Sequence, residues 1–163
     1  MIIYTKLFRQ AIILLSTAIA SVGIVCAAPY AAGDKVDAFS AEDQHGNAFT
    51  LKPAQTNFLL VTHDMKTGKK ANGFLTHVGP ENLKRDKLVY LANIHGMPGI
   101  GRFFALPKMR KYSHTIILGD DPDLIAKFPE EDGKVTVLKL RRGKVVSVKY
   151  WDPTADKLKD FLK

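Results

Sequence analysis

The sequence predicts an α/β domain, a mixed central sheet with helices on both faces. Three observations predict it. Two short apolar runs, 58–63 (FLLVTH) and 87–94 (KLVYLANI), have the length and continuity of strands covered on both faces. Between them Ala71, Phe74, Leu75 and Val78 fall at i, i+3, i+4, i+7, a helical stripe. Two hairpin patterns flank this unit.

Each element has its own signal. The stretch 37–51 (DAFSAEDQHGNAFTL) reads as an N-terminal β-hairpin turning at His45-Gly46-Asn47. The strand 58–63 and the striped helix follow, and Gly79-Pro80 stops that helix. After the strand 87–94 come a loop, 96–101 (GMPGIG), and a helix over 102–112 interrupted near Pro107. Residues 115–118 (TIIL) form a third buried strand. Asp121-Pro122 then opens a short helix through Phe128, Asp as N-cap and Pro at the first helical position. Strands 135–140 and 145–150 flank a turn at Arg141-Arg142-Gly143-Lys144. Asp152-Pro153 repeats the cap signal, and Leu158, Phe161 and Leu162 give a last helix its buried side. That order, strand–helix–strand, then helix, strand, short helix, hairpin and helix, means a mixed sheet sandwiched between helices.

The chain of 163 residues has room for one such domain. Its first 27 residues read as an address. Lys6 and Arg9 stand without an acid, 11–25 (AIILLSTAIASVGIV) is uncharged and mostly apolar, and Cys26, Ala27 and Ala28 are small. This is the pattern of a secretory signal peptide cleaved after Ala27. The apolar run is shorter than the ~20 residues a spanning helix needs, so an uncleaved anchor is the lesser reading. Cleavage removes Lys6 and Arg9, which lowers the formal charge from +8 to +6. It also removes Cys26, the one cysteine. Residues 28–35 then form a short linker and 36–163 the domain. Export to the periplasm of a Gram-negative bacterium is the expected location.

Three segments carry a family resemblance: GDKVDAFSAEDQHGNAFTL at 33–51, FLLVTH at 58–63, and VTVLKLRRGKVVSVKYW at 135–151. They resemble the thioredoxin-like superfamily in its peroxiredoxin and periplasmic thiol-reductase arrangement. The middle stretch, HGMPGIGRFFALPKMRKYSHTIIL at 95–118, resembles small periplasmic members that lack the redox cysteines. The resemblance implies a three-layer thioredoxin-like fold. It also locates what is missing. In the enzymes the helix after the first core strand begins at a reactive cysteine, whose thiolate the helix N-terminus stabilises. Here that stretch is 63–70 (HDMKTGKK), with only a thioether, and Asp132-Gly133-Lys134 stands where the family has its cis-proline. Thiol–disulfide exchange and peroxide reduction by cysteine are excluded for the processed chain.

The remaining candidates sit at strand ends. His63 and Asp64 close one apolar run and His95 the next. If the two strands are parallel neighbours, these side chains reach one rim of the sheet, with Lys69 and Lys70 beside them. Two imidazoles and a carboxylate would suit a divalent metal or general acid–base work. The plainer alternative is that they satisfy backbone groups at strand ends. Gly96, Gly99 and Gly101, followed by Arg102, suggest a phosphate cradle, but G-x-G-x-x-G fails at Phe104. The loop reading, glycines admitting φ > 0, is the simpler one. His45, His77 and His114 read as turn, helix-edge and strand-flank residues.

The expected function is therefore a non-catalytic binding module of the bacterial envelope, for an envelope protein or an anionic ligand. No cofactor is expected. The alternatives are a metal-binding protein or enzyme at His63, Asp64 and His95, or a cofactor-binding oxidoreductase using 96–101. Nucleic acid is not an expected partner, because the basic groups carry no interleaved stacking aromatics. A membrane would be met only through an uncleaved leader.

Overall fold

A computed structural model describes residues 28–163, so the leader and Cys26 lie outside the described residues. The strands are β1 (Ser40–Asp43), β2 (Ala48–Thr50), β3 (Phe58–Thr62), β4 (Leu88–Asn93), β5 (Ile117–Gly119), β6 (Val135–Arg141) and β7 (Lys144–Trp151). The helices are α1 (Met65–Val78), α2 (Pro80–Arg85), α3 (Gly99–Met109) and α4 (Pro122–Ile125). The strands form one sheet in the order β2-β1-β5-β4-β3-β6-β7. β3, β4 and β5 run parallel, and the two hairpins add antiparallel strands at either side.

β3 is buried at all five residues, four of them apolar and the last Thr62. Its side chains alternate between two cores. Leu59 and Val61 join Leu91, Ile117, Phe128 and Leu138 on one face. Phe58 and Leu60 join Leu75, Tyr90, Val137 and Trp151 on the other. α4 covers the first face through Leu124 and Ile125, and α1 and α2 cover the second through Ala71, Leu75 and Leu83. Helices thus lie on both faces of a mixed sheet. Burying each of Leu59, Leu60 and Val61 contributes about 1.5–3 kcal/mol.

Local chemistry closes the turns. Asp43 accepts from the backbone N–H of His45 and Asn47 at 2.8 and 2.9 Å and so shapes the first hairpin. Arg142 and Gly143 both take positive φ, 52° and 78°, as a two-residue type I′ turn demands. Buried Gln44 acts as a piece of strand: its amide donates to the His114 carbonyl and accepts from the Ile116 N–H, both at 2.8 Å.

Three sequence expectations need correction. Gly79-Pro80 ends α1, with Gly79 at φ 83°, but Pro80 also begins α2, where its missing N–H is harmless. α3 starts at Gly99 rather than after Gly101, and it runs through Pro107 to Met109. The carbonyl that Pro107 leaves without a donor belongs to Phe103, which is 71% exposed. The C-terminal helix is a single 3-10 turn, Leu158–Asp160. Trp151 Nε1 donates to the Asp156 carbonyl, the group a helix would have offered to Asp160. Residues 28–35, expected as a short linker, make hydrogen bonds to the domain: Tyr30 N–H to the Lys127 carbonyl and Gly33 N–H to that of Val145.

Gly119 ends β5 beneath α4, where a Cβ would lie 2.6 Å from Ile125 Cδ1 and 3.3 Å from Leu91 Cδ1. Gly119→Ala should cost about 1–3 kcal/mol by overpacking. Ile125→Val removes the offending methyl, so urea denaturation should show the double variant less destabilised than the two single losses combined.

Candidate functional site

β3 and β4 are parallel neighbours, with Thr62 opposite Ala92, so their carboxyl ends open onto one rim. The rim residues do not converge. The His63 side chain is 4% exposed and turns toward the segment before β6, its Nδ1 3.8 Å from Glu130 Oε2. Burial lowers its pKa by more than the Glu130 carboxylate raises it, and Nε2 has no hydrogen-bond partner. Asp64 caps α1, one oxygen accepting from the Lys66 and Thr67 N–H groups at 2.8 and 2.9 Å. Partial burial would raise its pKa, but the hydrogen bonds from Thr67 and Lys66 outweigh it and hold the carboxyl below its usual range. His95 turns away toward β5, its Nδ1 3.1 Å from the Asp120 carbonyl. Asn93 ties the two strand ends together, donating to the His63 carbonyl and accepting from the His95 N–H.

The expected triad is therefore three separate contacts. Among the described residues no group of three His, Cys, Asp or Glu side chains is placed to hold a metal. The loop expected over 96–101 holds in part: of its three glycines only Gly96 has positive φ, at 74°, while Gly99 and Gly101 lie within α3. A Cβ on Gly101 would approach Met97 Cγ to 3.2 Å, so the glycine serves close packing of the first turn. Arg102 is engaged within the protein: its guanidinium pairs with Asp120 and donates to the Ile94 carbonyl at 3.2 Å. Lys70 lies with Lys66 and His77 on an open depression of α1, whereas Lys69 also reaches a second hollow.

That second hollow is the feature sequence reasoning missed. A groove of about 390 Å³ runs between α1 and α3 at the carboxyl edge of β3 and β4. Met65, Met97, Phe104 and Met109 give it apolar walls, and Thr62, Asn72 and Tyr90 a polar floor. On the floor Thr62 Oγ1 and the Tyr90 hydroxyl are 3.0 Å apart. Asn72 Oδ1 lies 2.9 Å from Nε2 of buried His114, whose ring sits between those of Tyr90 and Tyr112 at 6.1 and 5.5 Å. Burial pushes the Tyr90 phenol up and the His114 imidazole down to about 4. Both groups are neutral at neutral pH, which suits an apolar site. The visible signal was Thr62 and Tyr90 as polar interruptions of two apolar strands, residues that must find partners when buried.

No family model matches the chain, and no curated protein matches its sequence. Solved structures match its fold. A peroxidoxin of Mycobacterium tuberculosis aligns with TM-score 0.55 and 15% identity, over 82% of this chain and 96% of its own. An exposed lipoprotein thioredoxin of Streptococcus pneumoniae aligns with TM-score 0.55 and 11% identity, over 77% and 98%. The thioredoxin domain of a thiol-disulfide oxidoreductase of Bacteroides vulgatus gives 0.52 and 15%, over 82% and 99%. The chain has the thioredoxin-like fold. No cysteine occurs in residues 28–163, and the first residue of α1 is Met65, 61% exposed.

His114 links this site to acid stability. An unfolded imidazole takes its proton near pH ~6.5, the folded one near 4. Between these values the unfolded chain binds the extra proton, so stability should be flat above about 6.5 and fall as pH drops toward 4. His63 acts in the same direction. His114→Gln should flatten part of this slope in urea denaturation at a series of pH values, and an unchanged slope would remove His114 as its source.

Proposed function

We propose that this chain is an exported thioredoxin-fold protein that works without cysteine chemistry, as a non-catalytic binding module of the bacterial envelope. One observation carries the reading. The carboxyl edge of the sheet keeps an open apolar groove beside the N-terminus of α1, while 63–70 holds Met65 and Thr67 and no thiol. A thioether forms no thiolate, so the groove offers contact rather than exchange. Export is supported by the basic start and apolar run of 1–27 and by the likeness to an exposed lipoprotein thioredoxin. The His63, Asp64 and His95 reading loses its support because each residue has a separate partner. The cofactor reading of 96–101 loses its support because Arg102 is paired with Asp120.

A photoreactive benzoylphenylalanine at Phe104, on the groove, and at Val146, on β7, tests the reading in cells. Light should produce an adduct from position 104 and not from 146. The recovered protein should begin near Ala28 and reduce no insulin disulfides. Equal labelling at the two positions, or insulin reduction by pure protein, would overturn it.

A further inference from the structure

The walls of the groove are one-sided in charge. From Met65 to Val78, all of α1, there is no acid and there are three lysines. From His95 to Leu118, the whole of α3 and its flanks, there is again no acid, against Arg102, Lys108, Arg110 and Lys111. Two of these cations are engaged within the protein, Arg102 by Asp120 and Arg110 by the Gln44 carbonyl. Lys69 on α1 and Lys108 on α3 line the groove from opposite walls. Asp64, the one carboxylate that lines it, is committed to the N-terminus of α1.

The same groove has an uncovered apolar margin. α3 carries the sequence GIGRFFALPKM, yet none of its residues is buried among the described residues. Ile100 and Phe103 are 73% and 71% exposed, and Phe104 is 59% exposed, with Met65 across the groove. The rings of Phe103 and Phe104 meet edge to face at 5.3 Å. Contiguous exposed aromatic surface of this kind marks an interaction site, and aromatic and Met side chains are enriched at interfaces.

Apolar walls crossed by two lysines call for an occupant that is apolar and acidic together. From this we infer that the groove binds an acidic segment of another protein, which seats a bulky apolar side chain between Met65 and Phe104 and meets Lys69 and Lys108 with its carboxylates. The inference rests on the binding-module reading and adds the chemistry of the partner. A peptide fits better than an anionic lipid surface. The site is a concave groove of about 390 Å³, which a protruding side chain can enter and a flat bilayer surface cannot.

Selection from a pool of random displayed peptides tests it on the exported protein. Peptides combining Asp or Glu with Leu, Phe or Trp should be enriched. Their affinity should fall at least about tenfold in Lys69→Glu, Lys108→Glu and weaken with added salt. Lys149→Glu, Lys159→Glu makes the same change in net charge away from the groove and should leave binding unchanged. Phe104→Ala should also lose it, with circular dichroism confirming that each variant folds. Neutral or basic peptides, acidic peptides that bind both double variants alike, or no enrichment would overturn the inference. So would flotation on phosphatidylglycerol vesicles that the selected peptides fail to block. The Phe104 crosslink would in each of these cases still decide separately whether the groove binds a partner.

Discussion

Everything in this molecule is built around a strand that has no wet side. β3 is apolar on both faces, so both must be covered, and both its backbone edges must be paired. β4 pairs one edge in parallel and β6 the other antiparallel. A parallel neighbour requires a crossover, which α1 and α2 provide, and the crossover covers one face. The other face needs its own cover, which comes from α4 and from the hairpins at the margins of the sheet. The groove is a by-product of this arrangement. Two parallel strands ending side by side, each followed by a chain that leaves in a different direction, create a hollow at their carboxyl ends.

The lack of a thiol among residues 28–163 is felt at one place, the start of α1. The helix that would lower a thiol pKa still begins directly after the first core strand, and Asp64 satisfies its exposed N–H groups. A carboxylate in that place would disfavour a thiolate beside it and requires none. At this edge of the sheet the start of α1 is occupied by the protein's own carboxylate, and Lys69 and Lys108 lie exposed on α1 and α3 beside it.

Most of the architecture was legible in the sequence because periodicity and turn chemistry are local. The alternation in 135–151 around Arg142-Gly143, the stripe from Ala71 to Val78 and the cap at Asp121 each specify an element within a few residues. The errors arose where a distant group decides. The short C-terminal turn is the exception, since Trp151, whose indole bonds the Asp156 carbonyl, is only five residues away. Nothing near Arg102 says that Asp120 will neutralise it. The strand ends at His63 and His95 were correctly adjacent, but which way each ring turns depends on Glu130 and Asp120, loops apart in sequence. The groove was invisible for the same reason, since its walls come from two helices separated by a strand.

The floor of the groove and its rim answer to different constraints. Thr62, Tyr90, Asn72 and His114 are buried, and each hydrogen-bonds to another of the four, so a change in any one strands a polar atom inside the domain. Lys69, Lys108, Ile100 and Phe103 lie at the surface and carry little of the folding energy. Substitution should therefore cost little stability at the mouth and much beneath it. Several side chains at the mouth could thus be rewritten together while the fold beneath them keeps its stability.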